Sequence, residues 1–412
     1  MEKVSLGGIM TGRPAADEQL AWIVAASARG PLPETEIRGH LASALLDASG
    51  GPSGVNAALA GVGRVTTTRL IDSEPGRSRA VVRGDGASYV LTVRVDETGL
   101  VDDLGLVPEE TPPSSWSEVD DQLSPLGKRV SFAAGEVEDG RFRGVHGIDA
   151  DTQRPIGSAC KLYVLGALAQ AVADGTAAWG ERLAIREDWK SVSSGELPDR
   201  ALTLAEFADH MISTSDNTAT DHLIHRLGRD AVHRQLTLSG NQRPAASIPF
   251  LTTKALFQLK LTADAAPAER YLALPEAART AALEELERAP LPENRSLWPR
   301  PRHIDAIEWF ASPSDVCRAY AGLYRVGMPE IGHALSINDD GLALDPARFA
   351  TTWYKGGNEP GVLSLNYLAR TADDRALVVS LMVSDPDEDL DTMPVALKGF
   401  SAIRGAFDLL SR

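Results

Sequence analysis

The N-terminal part of the chain changes from helical to strand-like spacing of its apolar residues. Residues 17–27 and 34–46 carry apolar positions at helical spacing, which predicts two amphipathic helices. The stretch SGGPSG at 49–54 has the composition of a loop. Four strand-like runs follow, at 65–71, 79–83, 88–95 and 100–106. Helices followed by an antiparallel meander predict a small α+β domain over residues 1–110.

A second domain is predicted for residues 114–412. The proline-rich and acidic segment 108–113 has the composition of a linker. The apolar pattern then predicts a short helix, a β-hairpin and a long apolar helix, and near the C-terminus three strands and a closing helix. These elements lie at 117–123, 130–137 with 143–148, 158–173, 352–358, 362–369, 377–383 and 395–410.

Composition narrows the choice of partners. The 412 residues are 43% hydrophobic and 24% charged, as in ordinary globular proteins. A net charge of −16 disfavours nucleic acid and anionic membranes as partners. Two cysteines, Cys160 and Cys317, are too few for a disulfide framework. The apolar run 20–26 is too short for a signal peptide or a membrane span, so a cytoplasmic protein is expected.

Candidate chemistry begins in the segment PIGSACKLYVLGAL at residues 155–168. On a helix the side chains of Ser158 and Lys161 share a face. A serine hydroxyl becomes a good nucleophile when a neighbouring base removes its proton. A lysine can be that base when burial or nearby cations lower its pKa. The pair therefore indicates a nucleophile and a base at the start of an apolar helix, where backbone N–H groups favour negative charge.

Two further motifs follow in the second domain. Ser-Asp-Asn at 215–217 falls at a break between two predicted helices. Lys-Gly-Gly-Asn at 355–358 ends a predicted strand. Ser-x-x-Lys alone occurs in many helices, but the three motifs together are a strong signal.

The order of the motifs resembles that of class A-like serine β-lactamases and penicillin-binding proteins. The resemblance covers about residues 125–412. With the preceding α+β domain, the segments IGSACKLYVLGAL, MISTSDNTATDHLI and YKGGNEPGVL look most like the two-domain β-lactamase-like esterases of clavulanic acid biosynthesis. The resemblance implies an antiparallel sheet flanked by helices and packed on an all-helical part, with the site in the cleft between. In outline, the first domain resembles the cystatin/steroid-isomerase type.

The resemblance also implies catalytic roles for four residues. Ser158 would attack the carbonyl of a β-lactam or small ester and become acylated, with Lys161 as the candidate general base. Ser215 would pass a proton to the leaving group, helped by Lys355, which also supplies positive charge for a substrate carboxylate. No cofactor and no metal are implied.

Substrate binding is implied for the remaining motif positions. Asn217 would bond to Lys161 and to a substrate amide, and the backbone N–H groups of Ser158 and Asn358 would form the oxyanion hole. The implied substrate-binding residues are Asn217, Gly356, Gly357 and Asn358.

Two features depart from the pattern of that family. Gly356 stands where the family has threonine or serine, which removes a hydrogen bond to a substrate carboxylate. Class A enzymes also use a glutamate after Ser-Asp-Asn to activate the deacylating water. Here no aspartate or glutamate occurs from Ala231 to Ala263, and the next acid is Asp264. Deacylation by that route is therefore predicted to be inefficient.

Three interpretations of the function stay open. The first is a hydrolase that forms an acyl-enzyme with a β-lactam or small ester, in secondary metabolism. The second is a D,D-peptidase or penicillin-binding protein, and the third is a non-hydrolysing protein that binds β-lactams. Each takes a small molecule as partner, and each leaves the oligomeric state open.

Two other segments have ordinary explanations. A metal site at His222 and His225 would need a third ligand. The two histidines are therefore predicted to be solvated side chains on a polar helix face. Prolines between 267 and 301 surround a predicted helix at 276–288. This segment is interpreted as a surface elaboration, with a lid over the site as the alternative.

Overall fold

The computed structural model describes residues 15–74, 76–84, 87–109, 111–192, 197–261, 266–291 and 298–412. Clustering of contacts divides the chain into two compact units, Met1–Thr111 and Pro112–Arg412. The acid Asp264, and part of the turn between the second and third predicted strands, lie outside the described residues.

The first unit consists of helices followed by an antiparallel sheet. The helices are α1 (Ala15–Ser27), α2 (Glu34–His40), α3 (Ser43–Ala48) and α4 (Gly51–Val62). The strands are β1 (Thr66–Glu74), β2 (Arg77–Gly84), β3 (Ala87–Val95) and β4 (Val101–Pro108), in the spatial order β1-β2-β3-β4. The four predicted strands are confirmed, while the cystatin/steroid-isomerase resemblance stays a prediction.

Two predictions for the helices of the first unit are wrong. The single helix at 34–46 is broken, because the Ala42 N–H donates to Val101 O at 2.8 Å and Leu41 bridges to the same residue. The predicted loop at 49–54 instead begins α4. Gly50 takes a left-handed φ of 78° just before the helix, and Pro52 lies in its first turn, where no intrahelical N–H is needed.

The second unit is a mixed helical and sheet structure. Its helices are α5 (Trp116–Leu123), α6 (Lys161–Ala173), α7 (Leu204–Ser213), α8 (Asn217–Leu227), α9 (Arg229–Leu238), α10 (Thr253–Lys260), α11 (Ala266–Ala273), α12 (Glu276–Arg288), α13 (Pro313–Val326), α14 (Pro329–Ser336) and α15 (Thr392–Leu410). Its strands are β5 (Arg129–Glu138), β6 (Arg141–Ile148), β7 (Arg154–Pro155), β8 (Arg182–Leu183), β9 (Leu202–Thr203), β10 (Phe310–Ala311), β11 (Phe349–Tyr354), β12 (Gly357–Glu359), β13 (Val362–Thr371) and β14 (Ala376–Ser384).

The central sheet of the second unit is antiparallel and lies between two helical layers. Its order is β11-β13-β14-β5-β6, with β12 paired to β13 beyond the end of β11. One hydrophobic core joins the sheet to α5 and α15, and a larger one joins it to α6, α13 and the other helices. Nearly every residue of β13 and β14 is buried, because both faces of these central strands are covered.

Helix α6 lies inside the larger core. All of its residues from Lys161 to Ala169 are buried, as expected for a helix that is apolar on every side. The helix therefore fixes the position of the chain just before it, which carries Ser158. None of the helices in the described ranges combines the length and apolar character needed to cross a bilayer.

Helices α11 and α12, in the segment interpreted as a surface elaboration, have mostly exposed or half-buried residues, and a few buried residues join them to the larger core. Tyr271 of α11 and Leu283 of α12 are buried in the larger core. Glu287 of α12 accepts hydrogen bonds from Arg229 at 2.5 Å and from Thr252 Oγ1 at 2.6 Å. The segment is therefore a surface layer anchored by buried contacts, and the lid alternative stays a prediction.

Candidate functional site

Ser158 lies in a tight turn that enters α6. Residues Gly157–Cys160 form a 3₁₀ turn, and the α-helix proper begins at Lys161. Gly157 has a φ of 50°, a left-handed conformation that favours glycine. Ser158 is half-buried, whereas both residues after it are buried. The serine predicted as nucleophile therefore sits at the surface of the core, one turn before the helix.

Lys161 is fully buried and points at the Ser-Asp-Asn loop. Its Nζ donates to Ser215 O at 2.5 Å, to Ser215 Oγ at 3.0 Å and to Asn217 Oδ1 at 2.8 Å. Within the described residues, its side-chain hydrogen bonds all go to this loop and none to Ser158 Oγ. Burial lowers the pKa of Lys161 to about 8, so neutral amine is available near neutral pH.

Ser215 stands between two lysines. Its Oγ accepts from Lys161 Nζ and from Lys355 Nζ, each at 3.0 Å. Lys355 also donates to Gly356 O at 2.8 Å. Burial, and then the positive charge of Lys161, lower the pKa of Lys355 well below its usual range. With both acceptor positions of the hydroxyl occupied, the Ser215 proton is left to point at another atom, such as one of a substrate.

Asn217 orients Lys161 and is itself held by the chain before α7. Its Oδ1 accepts from Lys161, and its Nδ2 donates to Val192 O at 2.7 Å. Asp216 caps α8, which begins at Asn217, by accepting from the Ala219 N–H at 2.6 Å. The loop is therefore ordered by its own caps, and one amide hydrogen of Asn217 is used inside the protein.

Strand β12 packs directly against the Ser158 turn. An ideal Cβ on Gly357 would lie 2.5 Å from Ser158 N and 2.8 Å from Ala159 N, so only glycine allows this approach. An ideal Cβ on Gly157 would lie 3.1 Å from Asn358 N. The backbone N–H groups predicted to bind an oxyanion thus belong to two segments in van der Waals contact.

Gly356 has a structural reason for lacking a side chain. An ideal Cβ at this position would overlap the hydroxyl of Tyr354 and lie 2.8 Å from its Cζ. Tyr354 Oη donates to Asp340 Oδ2 at 2.6 Å. The sequence predicts Tyr354 as a core or pocket-wall residue and does not reveal its contact with the Gly356 position. The tyrosine hydroxyl thus occupies the space of the missing threonine or serine side chain.

The histidine prediction is wrong for His222. Its ring is buried and stacks on Phe207 at 5.3 Å between centroids, and its Nε2 accepts from the Arg186 N–H at 2.9 Å. His225 is half-buried and stacks on Trp189 at 4.7 Å. Neither ring is a solvated surface group, and no group of three or more candidate metal ligands is found in the described part of the chain.

Comparison with known proteins agrees with this architecture. Residues 115–280 match the Beta-lactamase enzyme family. The β-lactamase of Sphaerobacter thermophilus has a similar structure, with 20% identity, 72% of this chain and 97% of that chain covered, and a TM-score of 0.50.

Two further solved structures are similar. PBP-A is 18% identical over 73% of this chain and 100% of that chain, with a TM-score of 0.48. A class A β-lactamase from Mycobacterium abscessus is 15% identical over 72% and 99% of the two chains, with a TM-score of 0.48. No curated protein sequence matches the chain.

The family match and the fold concern the second unit, and neither tests the finer resemblance to clavulanic acid esterases. The sheet between two helical layers is the arrangement that the motif resemblance implies. Residues 115–280 are thus similar to the β-lactamase enzyme family, and the second unit has the fold of a β-lactamase.

Proposed function

We propose that the protein is a serine hydrolase that forms an acyl-enzyme at Ser158 with a β-lactam or small ester. The observation that carries the proposal is the convergence of Lys161 and Lys355 on Ser215 Oγ, each at 3.0 Å, next to the Ser158 turn. Burying two lysines beside one hydroxyl is costly for folding alone. Proton transfer at a nucleophile would explain why two lysines are buried beside the Ser215 hydroxyl.

In the proposed acylation step, Ser158 Oγ bonds to the substrate carbonyl carbon, and its proton passes to neutral Lys161. The carbonyl oxygen becomes an oxyanion that accepts from the N–H groups of Ser158 and Asn358. Its collapse breaks the bond to the leaving nitrogen or oxygen, which takes the Ser215 proton. Lys161 or Lys355 then returns a proton to Ser215, and every proton is accounted for.

A long-lived acyl-enzyme is the second candidate, on a specific observation. The chain from Ala231 to Ala263 contributes no carboxylate that could activate water. A penicillin-binding protein or a β-lactam trap acylates at serine and hydrolyses slowly, so this feature favours either of them. The candidates share the first chemical step and differ only in the lifetime of the adduct.

The test is intact-protein mass spectrometry of the wild type and of Ser158→Ala. Both are incubated with penicillin G, a cephalosporin, a clavam and an O-acetyl ester, while product release is followed in parallel. A mass gain on the wild type alone supports acylation at Ser158, and its decay rate separates hydrolysis from trapping. If no compound gives an adduct or turnover, or if Ser158→Ala gains the same mass, the proposal fails.

The filled space at Gly356 leads to a prediction about substrate. The Tyr354 proton is donated to Asp340, so this hydroxyl presents lone pairs, which do not bind a carboxylate. Because burial and the charge of Lys161 lower the pKa of Lys355 well below its usual range, Lys355 adds little positive charge for a carboxylate. We therefore expect a β-lactam and its methyl ester to acylate with second-order rate constants within about fivefold of each other, less than the loss of one charged hydrogen bond would cause. Stopped-flow acylation with both compounds measures the ratio. A preference of more than about a hundredfold for the free acid would contradict the prediction.

A further inference from the structure

A buried ion pair links the segment between α9 and α13 to strand β12. Lys260, the last residue of α10, is fully buried, and its Nζ donates to both carboxylate oxygens of Glu359 at 2.6 and 2.8 Å. Glu359 is itself 8% exposed and directly follows Asn358 on β12. The backbone of Lys260 accepts from Arg302 Nη1 at 2.5 Å, which fixes the end of the helix.

A third side chain completes the cluster. Glu308 is 4% exposed, and its Oε2 accepts from the Trp309 N–H at 2.5 Å. Its carboxyl is close enough to that of Glu359 for each to change the pKa of the other. Burial, and then the negative charge of Glu359, raise the pKa of Glu308 to about 8; the charge of Lys260 and the N–H groups of Trp309 and Gly157 oppose this. At neutral pH Glu308 therefore keeps a proton that it can donate to Glu359.

The cluster lies against both segments that carry the proposed oxyanion donors. The Gly157 N–H, one residue before Ser158, is close enough to Glu308 to lower the pKa of its carboxyl. Glu359 is one residue after Asn358, and Gly357 of the same strand touches the Ser158 turn. Sequence analysis missed these acids, since Glu308 is far from every motif along the chain. Any shift of the cluster would change the distance between the two N–H groups.

Stability alone gives no reason for this arrangement. A buried ion pair is often no more stable than apolar residues of the same volume, because both charges lose their hydration. A buried cluster with defined hydrogen bonds does fix geometry, since its members hold only a few positions. An oxyanion hole needs such rigidity, because misplacing a donor by about 1 Å costs up to about a hundredfold in rate.

We propose that Lys260, Glu359 and Glu308 are positioning residues that hold β12 against the Ser158 turn, so that the N–H groups of Ser158 and Asn358 bind the same oxyanion. The inference rests on the proposed acyl-enzyme chemistry. Lys260 on α10 and Glu308 just before β10 both belong to the segment between α9 and α13. Through them, this segment would contribute to the reaction. None of the three side chains touches substrate in this scheme.

The charge state of the cluster has a consequence for the reaction. Ionisation of Glu308 would replace a hydrogen bond to Glu359 by repulsion and would add a negative charge beside the forming oxyanion. Glu308 faces Lys260 from α10, Glu359 from β12 and Cys160 from the turn. Arg302 and His303, from the chain before β10, face Lys260. Burial raises the pKa of Cys160 and lowers that of His303, so both stay uncharged at alkaline pH.

The experiment compares full-length variants in stopped-flow acylation by a chromogenic cephalosporin. Lys260→Met and Glu359→Gln are expected to lower the acylation rate constant by about tenfold to a hundredfold, with the substrate dissociation constant changed little. Glu308→Gln keeps a neutral donor and is expected to match the wild type at neutral pH. Above the pKa of Glu308, the wild type is expected to lose acylation rate, and this variant is not.

The chain offers a matched control in a second buried ion pair. Arg229 and Glu287 join α9 to α12 at 2.5 Å without contacting β12. Arg229→Met is expected to lower stability but to leave the acylation rate constant of the folded protein unchanged. If Lys260→Met and Arg229→Met have the same effect on acylation, or if Glu308→Gln keeps the alkaline loss, the proposal is overturned.

Amide hydrogen exchange separates this proposal from the proposed function. Exchange over residues 356–360 is expected to become faster in Lys260→Met and to stay unchanged in Arg229→Met. Should the wild type form no acyl adduct with any compound, the proposed function fails, and hydrogen exchange still decides whether the cluster holds β12. Equal exchange in both variants would overturn the positioning role even in an active enzyme.

Discussion

At the scale of single residues, the backbone conformation of Ser215 determines which groups contact Lys161. Its φ of 57° lies in the left-handed region, which costs a residue with a side chain about 1–2 kcal/mol. The conformation brings its carbonyl oxygen and its hydroxyl to the same lysine. An unfavourable backbone conformation is thus retained where it orients a proton carrier.

Substitutions at Ser215 separate the contribution of its hydroxyl to acylation from the effect of its backbone conformation on stability. Ser215→Ala and Ser215→Gly both lose the hydroxyl, so both are expected to acylate about 10²–10⁴-fold more slowly. Because glycine accepts a positive φ without strain, Ser215→Gly should be the more stable of the two by about 1 kcal/mol. Stopped-flow acylation and urea unfolding measure the two effects. Wild-type acylation in either variant would show that the hydroxyl carries no proton.

The pH dependence of acylation is expected to follow the protonation of Lys161. Burial lowers its pKa to about 8, and only the neutral amine accepts a proton. The acylation rate should therefore rise about tenfold per pH unit below this pKa and level off above it. Measuring it in Glu308→Gln as well as in the wild type isolates this ascending limb. A rate that does not change from mildly acidic pH to the pKa of Lys161 would exclude Lys161 as the base.

At the scale of elements, the proposed acylation would depend on how closely β12 approaches the Ser158 turn. Gly357 lies in this contact, and an ideal Cβ there would lie 2.8 Å from Ala159 N. In contrast, Gly322 lies in α13, and its ideal Cβ meets no atom within 4 Å. The two glycines allow the effect of a methyl group to be tested with and without a steric conflict.

Gly357→Ala should push β12 away from the turn and slow acylation by about tenfold to a hundredfold, because a displaced donor binds the oxyanion poorly. Gly322→Ala should leave acylation unchanged and stabilise the protein by about 0.5–1 kcal/mol, because alanine favours helices over glycine. Stopped-flow kinetics and urea unfolding test both. Equal acylation rates in the two variants would argue against a close oxyanion contact at Gly357.

At the scale of the whole molecule, the second unit is held together by contacts between segments far apart in sequence. Arg229 of α9 and Glu287 of α12 are 13% and 8% exposed and form an ion pair at 2.5 Å. Arg226 of α8 and Glu181 form another at the same distance, but their side chains are 30% and 33% exposed. Burial is therefore the main difference between the two pairs.

Breaking the buried pair by Arg229→Met should lower the free energy of unfolding by about 3 kcal/mol, since it leaves a buried carboxylate without its cation. Arg226→Met should cost less than about 1 kcal/mol, as for most exposed pairs. Urea unfolding of both variants provides the comparison. A loss of less than about 1 kcal/mol in Arg229→Met, as for an exposed pair, would mean that this contact to α12 contributes little to the stability of the second unit.

The sequence alone determined the local features of this protein. The cap of α7 is an example, because Thr203 and Glu206 exchange hydrogen bonds at 3.1 and 2.7 Å within four residues of chain. The three motifs, the helix at 276–288 and most strands of the two larger sheets follow from short-range spacing, although the strand predicted at 352–358 is divided into β11 and β12. Local capping and side-chain alternation suffice for such features, because the interacting groups are neighbours along the chain.

Only the tertiary structure decided which distant groups meet. It places Tyr354 in the space beside Gly356, buries His222 against Phe207 and brings Glu308 to the Ser158 turn. It also directs Lys161 to Ser215 and Asn217. These contacts depend on how helices and strands pack, and no local spacing records that packing. The motifs could therefore be predicted from the sequence, whereas the pKa of each buried group and the support of the oxyanion hole required the fold.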